Sequence, residues 1–492
     1  MQRLYYDNNS IMTVKKIAIV FDCGATNVKV HAINEKGEII RSRSYSNNTQ
    51  PDPFYPEYRI WDVEEIWNKM CRASREVMAQ LQGEDIIGVS VTTFGVDGVL
   101  FNKEGKMLYP MISWQCDRTT PVMKSIAKYI PVEKLYRESA LLPFNFNTIN
   151  KLIWLKENKP ELLEKAYMWL FAPSIFTWFL SGVMKNDITM AGTSMLTSAA
   201  ERDLSPLILD SIGINKGLLG EPAEPGDIIG KVTAAASELT GLPEGIPVVA
   251  SGHDTQFAVF GSGADINQPV LSSGTWEILM VRSLNYKSGK EQLENSISTE
   301  LDPVPGLYNI GIQWIASGML EWAGRNMFAD CGDELHEKMI SMACAVPPGS
   351  NGVRVIPGFF EETGGSGGGQ ITGLSMESTR EEIYRAMLEA LSLRLREGMK
   401  ALETAGGFTT DNILCVGGGS KNNLWNQLRA DITGVPVTVI DKKETTVLGA
   451  AMFIMYAAGL ASSPEEVRQM IPFRSEVFEP GPDRRIYEEL FF

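Results

Sequence analysis

The residues in this chain best suited to chemistry are two isolated carboxylates, each placed after an apolar run. Ile17–Phe21 leads into Asp22, with Gly24 just beyond. Ile246–Ala250 leads through Gly252 and His253 to Asp254, Thr255 and Gln256. An acid at a strand end beside a glycine is offered to a crevice at the carboxyl end of a sheet. Two such acids can divide the work of phosphoryl transfer, one on the side of a divalent cation and one taking a proton. On this reading Asp254 is the base and Asp22 the metal-side acid. Each has a plainer alternative. Asp254 would serve as the cap of a helix starting at Thr255-Gln256. Asp22 would serve as a turn residue bonded to its own backbone.

The elements that position these acids follow from the apolar pattern. Residues 15–33 form two apolar strands around a tight Asp22–Asn27 loop, and a turn at Glu35–Glu38 leads to a third, a β-meander. A strand, not a helix, follows the loop, and neither GxGxxG nor GxxxxGK[ST] occurs there, which excludes a dinucleotide or P-loop fold. The second half repeats the device. Pro269–Leu271, a Ser272-Ser273-Gly274-Thr275 turn and Trp276–Val281 form another hairpin. Two hairpins with Gly/Thr tips, one per half, predict a duplicated fold around a cleft. Residues 61–82 read as a helix capped by Asp62, and 86–94 as a buried strand that delivers Asp97 to a Gly95–Gly98 loop. Residues 121–136 and 159–185 read as mostly helical, as do 379–405, 422–433 and 446–458. Ile413–Val416 runs into Gly417-Gly418-Gly419 and then a helix. This unit sets N–H groups beside an anionic or planar ligand, or simply allows close backbone packing. Thr363–Gly369 reads as a flexible glycine loop. The Pro-, Gly- and Glu-rich stretch 221–245 puts a boundary near 245–250, giving an extension at 1–14 and domains at 15–248 and 249–492.

Composition narrows the partners. A chain of 492 residues is too long for one core. Its net charge of −15 disfavours a nucleic-acid partner, and an ATP site here would need a metal ion and backbone N–H groups. The six cysteines form no CxxC pair, and residues 1–14 carry no signal-peptide core, which together predict reduced thiols and a cytoplasmic location. Ala166–Met184 holds no charged residue, close to a membrane span in length. It contains Pro173, Ser174, Thr177 and Gly182 and stands alone, so it reads as a buried helix pair. Trp276 and Trp314 read as core.

Two longer patterns add a family. Phe146–Asn158 resembles the first signature of the FGGY carbohydrate kinases. Gly369–Leu374, followed by Glu382-Ile383 and Ala386–Glu389, resembles the second. The resemblance implies an α/β fold of two duplicated ribonuclease-H-like domains, of the actin and hexokinase type, each a mixed sheet flanked by helices, with a central cleft that closes over substrate. It implies ATP and Mg2+ as cofactors, a small-molecule ketose as substrate, and neither nucleic acid nor membrane as partner; monomer and homodimer stay open. By the same resemblance Asp254 is the base and Asp22 holds Mg2+ through water. Gly24, Thr26, Asn27, Gly274 and Thr275 approach the phosphates, and Gly418, Gly419 and Asn422 line the adenosine side. Asp97, His253 and Gln256 take sugar hydroxyls, with Trp114 and Arg118 as further contacts. A structural role is the alternative for His253. Cys116 stands where many members have an acid, and Ala25 and Asn27 replace hydroxyl residues of the first loop. The stretches Phe21–Asn27, Thr92–Gly98, Asp187–Ser194, Gly252–Phe257 and Leu271–Ser283 resemble the branch of the family that acts on L-fuculose, and that resemblance implies L-fuculose as substrate, phosphorylated on its 1-hydroxyl. L-Rhamnulose or a pentulose is the alternative. A non-enzymatic nucleotide sensor is a third class, against which the intact Asp254 and phosphate loops argue.

Overall fold

The computed structural model describes residues 15–81, 83–358 and 368–491. The 1–14 extension and most of the Thr363–Gly369 run lie outside the described residues.

Two mixed sheets repeat one plan. In the first, the strands run in the order Ile228–Lys231, Pro247–Val249, Asp85–Thr93, Lys16–Cys23, Asn27–Asn34, Ile39–Ser46. In the second the order is Ser475–Phe478, Val437–Ile440, Ile413–Val416, Pro269–Ser273, Trp276–Ser283, Tyr308–Ile315, with Ser298–Leu301 added at the edge. Each sheet has an antiparallel edge strand, then three parallel strands, then the antiparallel meander. The predicted duplication is therefore present strand for strand. The change of sheet falls between Val249 and Pro269.

Strand periodicity explains where Asp22 points. Ile17, Ile19 and Phe21 pack with the helix Val63–Met78, whereas Ala18 and Val20 face the helix Thr445–Ala457. Asp22 continues the Val20 face, toward the C-terminal half. The helix Asp254–Gly261 packs against Thr445–Ala457 on that side, joining Phe257, Phe260, Val447 and Ala451 in one apolar cluster. The two helices cross at glycines. A Cβ on Gly261 would overlap the Thr445 carbonyl, and one on Gly449 the Phe257 carbonyl. These obstacles are backbone and cannot rotate away. Gly449→Ala is therefore expected to cost about 1–3 kcal/mol by overpacking, read as a lower urea midpoint.

Several predicted helices match closely. Asp62 accepts from Glu65 N at 3.0 Å at the head of Val63–Met78, and Thr379 with Glu382 caps Arg380–Gly406. The charge-free segment does not form a helix pair. It is the strand Met168–Phe171 followed by the helix Ala172–Ser181, because the strand Gly98–Phe101 takes it as an antiparallel partner. No helix among the described residues is long and apolar enough to cross a membrane. Trp314 is core, as expected, but Trp276 is 41% exposed beside the hairpin tip. All six cysteines are free.

Candidate active site

Asp254 is the first residue of its helix, not its cap. His253 holds the cap position, and its own side chain makes no capping hydrogen bond. Asp254 is half-buried and turns one oxygen inward. Its Oδ1 accepts from Thr255 N at 2.6 Å and Thr255 Oγ1 at 3.2 Å, and lies 3.4 Å from His253 Nε2. No hydrogen bond among the described residues reaches Oδ2. Burial raises the Asp254 pKa above the usual carboxylate value, and the adjacent His253 offsets part of the rise.

The backbone around it is held by close approaches. Thr93 N and Thr92 Oγ1 donate to Gly252 O at 3.1 and 3.0 Å, and His253 N donates to Thr189 Oγ1 at 3.0 Å. A Cβ at Gly252 would collide with the Asp187 carboxylate and Thr189, so the glycine before His253 is a steric requirement. At Gly95, a Cβ would sit 2.7 Å from His253 Nε2.

Asp22 shares this field from the opposite hairpin. Burial, and after it the Asp254 charge, pushes its pKa up to about 7. Lys29, paired with Asp22 across the hairpin, forms a 3.1 Å ion pair with Glu444 at the head of the helix Thr445–Ala457. Asp22, His31 and Glu444 bring one ligand atom each to within 4.8 Å of one another. Burial drives the His31 pKa down to about 4, and neither of its ring nitrogens has a hydrogen-bond partner among the described residues. The two carboxylates fit Mg2+, which takes one or two carboxylates along with phosphate oxygens; imidazole is the donor preferred by softer ions.

Asp254 and His253 open onto a cavity of about 390 Å3, with Asn147, Gln313 and Glu300 among its other polar lining residues. Trp114, Phe144, Phe146 and Met280 form an apolar side, where Phe144 stacks on Phe146 at 4.9 Å and Trp114 meets Phe146 edge-on at 6.4 Å. Trp114 therefore lines this cavity. Three other expected sugar contacts do not. Asp97 is fully buried behind the wall, in an ion pair with Lys151, and accepts from Trp61 Nε1 at 2.7 Å and Trp114 N at 3.0 Å. Arg118 is buried with its guanidinium 2.7 Å from Asp52 and over the Tyr58 and Trp154 rings. Its Nε donates to Cys116 Sγ at 3.2 Å, and its carboxylate partner is Asp52. Gln256 is buried too, donating to Glu300 Oε2 at 2.7 Å and accepting from Asn309. Each of these side chains is spent on protein partners.

The hairpin tips match one another. Gly24 N donates to Asn27 O at 2.9 Å, Gly274 N donates to Trp276 O at 3.0 Å, and Thr26 and Thr275 stand exposed at the tips. Behind the second tip, Ser273 Oγ donates to Glu277 at 3.0 Å, and buried Arg429 binds both Glu277 and Ser273. The Gly417–Gly419 loop packs on this base. A Cβ at Gly419 would overlap Ser273 Oγ, whereas Gly418 faces open space. Close packing therefore explains Gly419. Asn422 caps the helix Asn423–Thr433, accepting from Trp425 N at 3.1 Å, which commits its side-chain oxygen.

Sequence reasoning missed Glu300 and Glu444. Glu300 is one acid in a four-residue edge strand. Glu444 follows two lysines at a helix start, which reads as ordinary end chemistry.

The FGGY family of carbohydrate kinases, N-terminal domain, matches residues 17–261, and its C-terminal domain matches residues 270–458. The chain belongs to the FGGY family of carbohydrate kinases. Among curated FGGY-type relatives, L-fuculokinase of Escherichia coli K12 is 42% identical over 476 residues, covering 97% of this chain and all of that protein. Rhamnulokinase of Bacteroides thetaiotaomicron is 28% identical, covering 84% of each chain. Xylulose kinase from Rhodospirillum rubrum superposes with a TM-score of 0.88 at 21% identity, covering 96% of each chain, and shares the fold. As a member of this kinase family the protein uses ATP and acts on a small-molecule sugar.

Proposed function

We propose that this kinase transfers the γ-phosphoryl group of ATP to the 1-hydroxyl of L-fuculose, giving L-fuculose 1-phosphate and ADP in the cytoplasm. The observation that carries the reading is the near full-length identity with L-fuculokinase. The cavity agrees with it. L-Fuculose is a 6-deoxyketose, with a methyl group at one end and hydroxyls along the rest. The Phe144–Phe146 stack suits the methyl, and Asp254, His253 and Glu300 suit the hydroxyls.

In this reading Asp254 Oδ2 accepts the proton of the 1-hydroxyl as its oxygen attacks the γ-phosphorus and ADP leaves. Such a base contributes through position and through a pKa raised toward working pH. Residues 15–248 supply the sugar side and 249–492 the base and the nucleotide side. Gly24, Thr26 and Asn27 at one tip and Gly274 and Thr275 at the other approach the phosphates. Gly418 is the open position beside the adenosine. Asp22 and Glu444 would hold Mg2+, whose charge offsets that of the phosphate oxygens.

The test is ATP consumption with L-fuculose, L-rhamnulose, L-ribulose, D-ribulose and D-xylulose, comparing kcat/KM. L-Fuculose is expected to lead, with a 1-phosphate product by phosphorus NMR. A higher value on any other ketose rejects the substrate. The apolar wall adds a second expectation. Phe146→Ser should narrow the preference for L-fuculose over the pentuloses, by up to about 10²-fold, the scale on which an apolar pocket reads one carbon.

A further inference from the structure

Glu300 reaches the site from the edge strand of the second sheet. That strand crosses to the first half, where Thr299 N donates to Ala140 O at 2.8 Å and Leu301 packs against Gly192. Glu300 Oε2 is 3.1 Å from His253 Nδ1 and accepts from Gln256 Nε2 at 2.7 Å. Gln256 is fixed in turn by Asn309. The other oxygen, Oε1, receives no hydrogen bond among the described residues, and the side chain lines the cavity. The imidazole thus lies between two carboxylates, Glu300 at Nδ1 and Asp254 at Nε2. Burial alone would lower the His253 pKa, but Glu300 and then Asp254 outweigh it and hold it above its ordinary value.

We propose that Glu300 does two things in the transfer site: through Oε2 it fixes Nδ1 of His253 as a proton donor, turning Nε2 to Asp254, and through Oε1 it accepts a hydroxyl of the ketose. The inference rests on the ketose-kinase reading and adds a residue to it. An anchored imidazole restricts where the Asp254 carboxylate can swing and leaves Oδ2 for the substrate. A carboxylate oxygen with no protein donor, facing a cavity, is matched only by a ligand that brings one. Because the strand bearing Glu300 belongs to the second sheet and touches the first half, sugar bound to Oε1 also ties the two halves together.

The experiment compares wild type, Glu300→Ala and Glu300→Gln, using whichever ketose the wild type turns over best. A wrong substrate assignment then appears in the wild-type panel and not in these variants. Glu300→Ala is expected to raise the ketose KM at least tenfold and lower kcat, with the ATP KM within twofold of wild type. Glu300→Gln, which keeps an acceptor oxygen and the volume, should recover part of the loss. The chain has three histidines, so ring nitrogen NMR can follow His253 directly. Its Nδ1 resonance should shift in Glu300→Ala and lie nearer the wild-type position in Glu300→Gln. A ketose KM within twofold of wild type in both variants overturns the hydroxyl contact. His253 resonances unchanged in both overturn the positioning role.

Discussion

Asp254→Asn is expected to lower kcat by about 10²- to 10⁴-fold while the protein stays folded. The substitution keeps shape and volume. Asparagine's oxygen can still accept from Thr255 N and Thr255 Oγ1, so the start of the helix is retained. What is lost is the second oxygen, which no donor among the described residues occupies and which an amide nitrogen cannot replace as a proton acceptor. Stability should not fall. Asp254 is half-buried near Asp22, burial raises its pKa, and its charge is the second cause, after burial, of the raised Asp22 pKa. Neutralising it relieves that repulsion, so Asp22 should ionise at lower pH in the variant. The check is kcat with saturating ATP and ketose, beside a urea unfolding curve. Turnover within tenfold of wild type, at unchanged stability, would remove Asp254 as the base.

What could be read from residues alone, and what could not, divides along one physical line. Asp22 and Asp254 were legible because an apolar strand that leads to an acid, at its end for Asp22 or through a short turn for Asp254, delivers it at the sheet's carboxyl end. The paired hairpins were legible for the same reason, since period-two burial and a Gly/Thr tip are local signals. Asp97 carries the same local signal and misleads. It too follows a strand, yet its carboxylate turns back into the protein to meet Lys151. Nothing near position 97 announces a lysine on the helix Thr148–Asn158. Arg118 is similar: its partner Asp52 lies before the first helix, and the departure at Cys116 makes sense only once both are seen together. Gln256, two residues past the base, faces Asn309 and Glu300 instead of the cavity. Local pattern selects residues able to do chemistry; which of them the interior consumes is decided by distant charges.

The Asp97–Lys151 pair carries the largest expected loss of stability. Both side chains are fully buried, and the carboxylate is completed by Trp61 Nε1 and Trp114 N. Lys151→Ala leaves that carboxylate buried with two donors and no counter-charge, at an expected cost of about 3–5 kcal/mol. The lysine also donates to Val96 O at 3.0 Å, so the loop bearing Gly95 and Val96 on the cavity wall loses an anchor as well. A double variant, Asp97→Asn with Lys151→Met, removes both charges at similar volume and should regain most of the loss, since a buried pair replaced by neutral groups is often close to neutral. Urea unfolding of the single and double variants separates the two readings of Asp97. If it were a sugar contact, Lys151→Ala would raise the ketose KM at unchanged stability, and the double variant would bind ketose no better. If the pair is a buried support, stability falls first and returns with the second substitution. A loss below about 1 kcal/mol in Lys151→Ala would mean that water reaches the carboxylate, a cost typical of exposed pairs. It would return Asp97 to the cavity as a candidate contact. The lysine of the first family signature would then have a role in binding, where the geometry gives it one in holding the wall.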